Sequence, residues 1–459
     1  MTSGGRSSYF GRSYVVVGGG ISGLTAAYRL RCALGPDVGI TVFDPADRLG
    51  GVLRTERLGG QPMDVGAEAF VVRRPEVPAL LAELGLAARQ ISTTGVRPLI
   101  YSQRRLHAMP TETVNGIPSS AASMTGLVDD ATLSRMAVEP SRPMEWRRGA
   151  DPTVAEVVGD RFGAAVVARS VDPMLAGVYA GSAATIGMRA AVPTVAAALD
   201  RGARSLTEAV RSVLPPNTGA PVFGAIDGGY EVLLRELIAR SGLRWVPTTV
   251  SGLERDGRHW VVRDDEGQQV RADGVVLALP APRLARLVGS VAPRTAAAAA
   301  RIETASSVVV ALAVPGGTPL PQRSGVLVAS GERLHAKALT LSTRKWGRRG
   351  NSELLRLSFG RFGDTIARDT SDEDLLAWSV ADLAEVFDVT VDPQDVLVHR
   401  WLDAMPQYGP GHAAVVAQLR AGLPPGLVVA GSYLDGIGVP ACVAAAGRAV
   451  GELTAELTT

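Results

Sequence analysis

The fold of this chain is decided by the stretch Tyr14-Val15-Val16-Val17-Gly18-Gly19-Gly20-Ile21-Ser22-Gly23-Leu24. The pattern predicts a buried strand, a glycine turn and then a helix over residues 24–30, which is the geometry that binds a dinucleotide pyrophosphate. Gly18 permits the turn, Gly20 lets the backbone approach the phosphates, and Gly23 lets the helix pack on the strand. The helix N-terminus then faces the anion. We assign to the cofactor site Gly18, Gly19, Gly20, Ile21, Ser22 and Gly23.

A second predicted strand, residues 40–43, ends at Asp44. This carboxylate follows the glycines by about twenty residues and is therefore placed to bind the ribose hydroxyls. A glycine-rich turn between unrelated elements is the alternative interpretation of the glycines alone. The strand before them, the helix after them and Asp44 together favour the dinucleotide site.

Glycines continue beyond Asp44 in the segments Arg48-Leu49-Gly50-Gly51, Gly59-Gly60 and Met63-Asp64-Val65-Gly66-Ala67. This pattern resembles the double-glycine extension of flavoproteins of the glutathione-reductase/amine-oxidase type. The resemblance implies that an arginine and backbone amides enclose the rest of an FAD. The residues it implicates are Arg48, Gly51, Gly66 and Ala67. An ordinary loop is the alternative for Gly50-Gly51 taken alone.

The C-terminal region carries a further motif of this type. A short apolar strand, Leu427-Val428-Val429-Ala430-Gly431-Ser432, is followed by Gly436-Ile437-Gly438-Val439-Pro440 and an alanine-rich helix over 441–457. The resemblance implies that Ile437, Gly438 and Val439 contact the flavin, where a helix N-terminus favours negative charge on the ring. A surface helix after a glycine loop is the competing interpretation.

The middle of the chain predicts the remaining part of the FAD domain. Ile226-Asp227-Gly228-Gly229-Tyr230 precedes a predicted helix over 231–241, and residues 260–263 and 269–272 predict a hairpin. Residues 273–280 then return as a strand. By resemblance, Val250 pairs its backbone with the adenine; the alternative is a plain strand residue.

These segments predict an α/β flavoprotein with two dinucleotide-binding domains, glutathione-reductase/amine-oxidase-like, with an inserted α+β substrate domain. We expect a disordered N-terminus over residues 1–13. The FAD-binding domain is discontinuous, over 14–75, 220–290 and 420–459. A mainly helical insertion covers 76–215, and an α+β substrate-binding region covers 300–415. A chain of 459 residues is long for a single hydrophobic core, so we expect two or more domains.

Composition excludes several classes of function. A net charge of +2 argues against a nucleic-acid partner. The five histidines show no metal-ligand spacing, so we predict no metal site. Two cysteines fit a reducing cytoplasm, where we expect the protein. Because no apolar run is long enough to span a bilayer, only peripheral membrane contact stays open.

Two blocks identify a narrower family. Trp401-Leu402-Asp403-Ala404-Met405-Pro406-Gln407-Tyr408-Gly409-Pro410-Gly411-His412 resembles the MPQYxxGH block of protoporphyrinogen/coproporphyrinogen oxidases, and Asp172-Pro173-Met174-Leu175-Ala176-Gly177-Val178-Tyr179-Ala180-Gly181 resembles their GVYAG loop. The resemblance runs over nearly the whole chain. The stretch from Lys337 to Trp346 is similar to the bacterial branch, whose Gram-positive-type members oxidise coproporphyrinogen III.

The resemblance implies roles for particular residues. Arg97 matches an arginine that faces a substrate propionate, although a surface arginine is the alternative. Ala176 and Gly177 match a loop that lines the macrocycle pocket. Trp401 matches an aromatic residue near the flavin, or else a core tryptophan. Asp44 stands where a glutamate is commoner, which shortens the arm that reaches the ribose.

The activity implied is the oxygen-dependent, six-electron oxidation of coproporphyrinogen III to coproporphyrin III, with noncovalent FAD as hydride acceptor and H2O2 as product. The FAD performs the redox chemistry, so no general base is assigned. The partners implied are a porphyrinogen and O2, with the next haem-pathway enzyme as a candidate. The alternatives are a protoporphyrinogen IX oxidase, an FAD-dependent amine oxidase in which Lys337 serves as the lysine near the flavin, and a flavin-containing haem-delivery protein without turnover.

Overall fold

The computed structural model describes residues 11–216, 219–348 and 350–455. Its strands, in chain order, are β1 (Ser13–Val17), β2 (Gly39–Phe43), β3 (Thr55–Leu58), β4 (Gln61–Asp64), β5 (Phe70–Val71), β6 (Gln90–Ser92), β7 (Leu99–Ser102), β8 (Arg105–Ala108), β9 (Thr113–Val114), β10 (Ile117–Pro118), β11 (Phe223–Ile226), β12 (Arg244–Val246), β13 (Val250–Asp256), β14 (His259–Asp264), β15 (Gln269–Ala272), β16 (Gly274–Leu277), β17 (Thr304–Pro315), β18 (Gly325–Val328), β19 (Ala338–Leu341), β20 (Ser352–Phe359), β21 (Asp395–Pro406) and β22 (Leu427–Val429).

The α-helices are α1 (Ile21–Leu34), α2 (Glu76–Glu83), α3 (Asp130–Val138), α4 (Val154–Phe162), α5 (Ala164–Val166), α6 (Asp172–Tyr179), α7 (Met188–Ala191), α8 (Pro193–Asp200), α9 (Leu206–Ser212), α10 (Tyr230–Ser241), α11 (Ala281–Leu287), α12 (Pro293–Ala299), α13 (Ser342–Trp346), α14 (Ile366–Asp369), α15 (Asp372–Phe387), α16 (His412–Ala421) and α17 (Val439–Ala455). A π-helical turn, Val167–Val171, leads directly into α6.

The first sheet is parallel and has the strand order β12-β2-β1-β16-β22. Its strands come from three distant parts of the chain, near residues 13–43, 244–277 and 427–429. Helix α1 packs against both α10 and α17, and together they cover one face. The antiparallel strands β13-β14-β15 contribute Trp260 and Val262 to the core on the other face. This layout confirms the predicted α/β fold class.

The second sheet has seven strands in the order β21-β17-β20-β19-β18-β7-β8. Its second strand, β17, is an apolar run whose residues from Val308 to Val314 are all buried, as the β-branched composition favours. Strands β7 and β8 join this sheet although they come from the segment predicted as the helical insertion. The predicted domain boundaries remain a prediction.

Helix α1 begins at Ile21, three residues before the predicted start, because Ile21, Ser22 and Gly23 already form its buried first turn. Helix α17 includes Pro440 at its second position, where proline is well tolerated. Of the N-terminus predicted to be disordered, residues 1–10 lie outside the described residues, and Ser13 already belongs to β1.

Candidate active site

The turn after β1 is built for close backbone approach. Gly18 has a φ of 107° and donates its N–H to the Phe43 carbonyl at 2.8 Å. A Cβ on Gly18 would lie 2.4 Å from the Ala278 carbonyl oxygen, and one on Gly23 would lie 1.9 Å from that of Gly18. No side chain caps α1 at Gly20, so the free N–H groups of Ile21 and Ser22 can bind a pyrophosphate.

Asp44 lies at the end of β2, beside this turn. One carboxylate oxygen accepts the N–H of Gly19 at 2.6 Å, and the other accepts that of Ala46 at 3.0 Å. The Trp245 indole donates to the backbone carbonyl of Asp44 at 3.0 Å. Asp44 therefore fixes the glycine turn, and its contact with a ribose remains a prediction.

The double glycine folds back onto the first turn. The Gly50 N–H donates to Gly19 O at 2.7 Å, and a Cβ on Gly51 would lie 3.0 Å from the Gly20 Cα. The Arg48 guanidinium donates to the carbonyls of Leu53 at 2.9 Å and Gly51 at 2.8 Å. Burial lowers the pKa of Arg48. We call the backbone turn over residues 18–23, together with Gly50 and Gly51, the FAD cradle. Arg48 thus stabilises the loop that encloses this cradle.

The segment after Met63 is held by the second sheet. A Cβ on Gly66 would lie 1.7 Å from Val52 O and 3.2 Å from the Trp401 ring. The Arg356 guanidinium donates to Gly66 O at 2.6 Å, and the Trp401 indole donates to Val65 O at 2.9 Å. Ala67 follows directly, so the segment predicted to contact the flavin lies between the two sheets.

The neighbouring carboxylate, Glu68, is clamped by α13. It accepts hydrogen bonds from Lys345 at 2.6 Å, from the Trp346 indole at 2.9 Å and from Ser342 at 2.9 Å. Burial alone would raise the pKa of Glu68, but Lys345 and then Arg356 outweigh it and lower the pKa to about 2. The Lys345-Trp346 pair therefore anchors the loop of Gly66 and Ala67.

The MPQYxxGH block supports the loop before α17. The Tyr408 hydroxyl bonds to the Ser432 carbonyl, and the His412 imidazole lies 2.9 Å from the Tyr433 carbonyl. This loop leads to Ile437 and the exposed Gly438, and α17 starts at Val439. Both the helix N-terminus and an open glycine are thus present where the sequence predicts flavin contact.

The same block contacts the end of α6. The Gln407 amide donates to the Tyr179 carbonyl at 2.9 Å, and the Tyr179 and Tyr408 rings meet edge to face at 5.5 Å. Ala176 is only 1% exposed, so its side chain lies inside the protein. The open surface of α6 is formed by Gly177 and Val178.

One face of the second sheet was missed by the sequence analysis. Residues of adjacent central strands on this face stay partly exposed although α6 and the loop before Ala67 lie over it. A Cβ on Gly177 would contact Leu327 at 3.8 Å, which places α6 above the sheet. The partly exposed residues of this face are Leu327, Ala338, Thr340, Arg356, Ser358 and Trp401.

Lys337 lies directly before β19 and is 6% exposed. Its ammonium group bonds to Ser307 Oγ at 3.0 Å and to the Gly360 carbonyl at 2.5 Å. Ser307 pairs directly with Trp401 across the sheet. Burial, and next the charge of Arg361, lower the pKa of Lys337 to about 7.

Arg97 and Val250 are two further residues predicted from the sequence. Arg97 is exposed two residues before β7, and no hydrogen bond or ion pair to its guanidinium occurs within residues 11–216, 219–348 and 350–455. Val250 is 8% exposed and pairs with Asp264 at the start of β13. Their contacts with a propionate and an adenine remain predictions.

In the described part of the chain, no group of three or more His, Cys, Asp and Glu side chains could hold a metal ion. Its helices also include none that is both long and apolar enough to cross a bilayer. Burial raises the pKa of Cys442 to about 11, so this thiol is not activated.

Comparison with known proteins agrees with this geometry. A profile of the family described as flavin containing amine oxidoreductase matches residues 21–454. The chain belongs to this family. FAD is its cofactor, and the glycine cradle fits that group because each Cβ-free position leaves room that a side chain would close. The protein is an FAD-dependent oxidase.

Individual relatives match nearly the whole chain. Coproporphyrinogen III oxidase of Mycobacterium leprae is 68% identical over 97% of this chain and 99% of its own length. The enzyme of the same name from Bacillus subtilis is 26% identical over 94% of this chain and 95% of its own. A crystal structure from Exiguobacterium sp. 255-15, named as a proposed protoporphyrinogen oxidase, has a TM-score of 0.86 at 27% identity and covers 99% of this chain and 100% of its own.

Proposed function

We propose that this protein oxidises coproporphyrinogen III to coproporphyrin III with oxygen as acceptor, in haem biosynthesis. The observation that carries the proposal is the open sheet face beneath Gly177, beside the loop of Gly66 and Ala67. The proposed slot for the flat macrocycle runs along this partly exposed face, beside Gly177 of α6 and the loop of Gly66 and Ala67. The full-length similarity to enzymes named coproporphyrinogen III oxidase supports the same substrate.

The oxidation removes six electrons and therefore proceeds in three two-electron steps. Bound FAD supplies the redox chemistry, taking up a hydride equivalent from the substrate and passing the electrons to O2 with release of H2O2. The chain itself orients the ring: Gly177 leaves room for it, and Arg97 pairs with a propionate. We assign no general base, because positioning supplies most of what this chemistry needs from the protein.

We further propose that FAD is held noncovalently and that its contacts are the residues predicted from the sequence. Cys442 is buried with a raised pKa, which makes it a poor attachment point. The cytoplasm remains the proposed location, and the next enzyme of the haem pathway remains a proposed partner. Peripheral contact with a membrane is not part of the proposal.

Protoporphyrinogen IX is the second candidate substrate. The protoporphyrinogen oxidase of Bos taurus is 27% identical over 94% of this chain and 96% of its own length. The two substrates differ in charge, since protoporphyrinogen carries vinyl groups in place of two propionates. Burying two extra carboxylates without partners costs several kcal/mol each, so a site built for one should discriminate clearly.

Side-by-side turnover under air tests the proposal. Porphyrin fluorescence and peroxide release are followed with coproporphyrinogen III, protoporphyrinogen IX and a panel of primary and secondary amines. We expect the highest specificity constant for coproporphyrinogen III. A higher value for protoporphyrinogen IX would overturn the substrate but keep the reaction class. Turnover of amines alone would make the protein an amine oxidase, and no flavin bleaching by any porphyrinogen without oxygen would indicate a binding protein.

A further inference from the structure

Arg361 is a cation without a direct partner at the end of the second sheet. It follows Phe359 and Gly360, the point at which β20 ends, and it is partly buried. Among the described residues, its guanidinium makes no hydrogen bond or ion pair. Burial lowers the pKa of Arg361, while Asp172 and Asp364 raise it from a distance.

The carboxylates around Arg361 serve other donors. Asp364 accepts the backbone N–H of Arg361 at 2.6 Å and that of Ile366 at 3.2 Å. Asp172 accepts the Ala183 N–H at 2.6 Å and the Ser330 hydroxyl at 2.8 Å. Among the described residues neither carboxylate lies within ion-pair distance of the guanidinium, so its planar donors remain available to a carboxylate ligand.

A second cation lies behind Arg361. The Lys337 ammonium bonds to a hydroxyl and to backbone carbonyls, and no carboxylate of the described residues lies within ion-pair distance of it. The charge of Arg361 is close enough to act on Lys337. A guanidinium without a bonded carboxylate attracts an anion, and the Lys337 ammonium adds to this attraction in its protonated form.

Arg361 also lines a cavity of about 290 Å³. Ser330 and His335 contribute to its wall, as does Glu332, whose carboxylate accepts the Gln103 N–H at 2.5 Å. Two contacts connect the cavity region to α6. Ser330 bonds to Asp172 at the start of α6, and the N–H of Phe362, the residue after Arg361, donates to the Ala180 carbonyl at 2.6 Å just beyond its end.

The cavity and Arg97 lie at opposite ends of the same strand pair. Strands β7 and β18 are parallel, with Leu99 paired with Val326 and Tyr101 with Val328. Arg97 precedes this pairing and is level with Ser324, whereas Arg361 lies beyond it, level with Ser330, because Ser358 and Leu327 both pair with Ala338. Six residues of strand separate the two levels, which is about 20 Å at about 3.3 Å per residue.

We propose that Arg361, with Lys337 behind it, binds a substrate propionate at the end of the slot opposite Arg97. The inference rests on the proposed function and adds a determinant of substrate choice. Coproporphyrinogen carries propionates towards both ends of such a slot, so both cations gain a partner. A vinyl group at Arg361 would leave the guanidinium without an anion, which disfavours protoporphyrinogen.

The test compares Arg361→Met with Arg361→Lys and with Arg333→Met, an exposed arginine in the β18–β19 connection. Specificity constants are measured with both porphyrinogens, and binding of coproporphyrin III and protoporphyrin IX is titrated by fluorescence. Arg361→Met should weaken coproporphyrinogen use about tenfold or more, mainly through KM, as expected for a lost charged hydrogen bond. Arg361→Lys should restore part of it, and Arg333→Met should leave it unchanged.

The substrate ratio decides the outcome. A loss confined to the coproporphyrin series supports the inference. Equal losses for both substrates would mean that Arg361 only stabilises the fold, and no loss would mean that no propionate binds there; either result overturns it while the proposed function stands. Failure of the wild-type protein to oxidise any porphyrinogen would overturn the proposed function itself, and the inference with it.

Discussion

The Trp401 indole donates a hydrogen bond to the backbone carbonyl of Val65 at 2.9 Å and thereby ties β21 to the loop that carries Gly66 and Ala67. The second sheet is therefore attached directly to the FAD cradle. Arg356 makes a parallel contact to Gly66 from β20. Substrate placed on this sheet is consequently held at a fixed distance from the cofactor.

Trp401→Phe tests this connection. An aromatic ring is kept, but the Val65 carbonyl loses its donor, which costs about 1 kcal/mol. We expect FAD to bind several-fold more weakly, measured by fluorescence titration of the apoprotein. Trp378→Phe is the control, because Trp378 belongs to α15 and stacks on His335 with ring centroids 4.3 Å apart. An equal effect of both variants would contradict a specific role for Trp401.

Gly20→Val tests the pyrophosphate site. Gly20 has a φ of −74°, and a Cβ there would find only the Gly51 Cα within 4 Å, at 3.9 Å. We therefore expect the variant to fold but to purify without FAD, as read from its visible spectrum and its Tm. Gly23→Val should instead fail to fold, because its Cβ would lie 1.9 Å from the Gly18 carbonyl oxygen. A yellow Gly20→Val protein would show that the phosphates lie elsewhere.

The glycine turns and their flanking elements could be predicted because each is encoded locally. Gly18 has a positive φ, and a Cβ on Gly23 would meet the Gly18 carbonyl oxygen, so both requirements arise within the motif itself. The open sheet face could not be predicted in this way. It depends on β7 pairing with β18 and β17 pairing with β21, contacts between residues that are far apart in sequence.

Roles of individual charged residues were harder to predict for the same reason. The sequence suggests Lys345-Trp346 only as a family resemblance, whereas the fold brings both to Glu68. Asp44 is recognised by its spacing, but its bonds to Gly19 and Ala46 appear only in three dimensions. A partner that lies hundreds of residues away leaves no local signal.

Arg97→Ala tests the propionate contact. Because Arg97 is exposed and makes no described side-chain bond, the variant should keep wild-type Tm and FAD content. Loss of a charged hydrogen bond of about 1.5–3 kcal/mol should lower kcat/KM for the porphyrinogen about tenfold or more. Arg105→Ala, which removes an exposed arginine from β8, is the matched control. Unchanged kinetics would place Arg97 outside the site.

Lys337→Met tests, through the pH dependence of Tm, whether the buried Lys337 side chain loses its charge near neutral pH. Burial, followed by the charge of Arg361, lowers the pKa of Lys337 from 10.5 to about 7. Between these pH values the folded protein binds fewer protons at this residue than the unfolded chain, so wild-type stability rises with pH across this window. Below about pH 7 the buried charge lowers the free energy of unfolding by its full cost. This cost disappears near pH 10.5.

Methionine carries no charge, so we expect Lys337→Met to have a higher Tm than the wild type. This difference in Tm should be largest below about pH 7 and should vanish towards pH 10.5. Scanning calorimetry across this range measures the gap. Lys345→Met provides the opposite case, since it leaves the Glu68 carboxylate buried without its cation and should lower Tm at neutral pH. A gap for Lys337→Met that is independent of pH would mean that Lys337 stays charged throughout, because the carbonyls around its ammonium group stabilise the cation more than burial disfavours it.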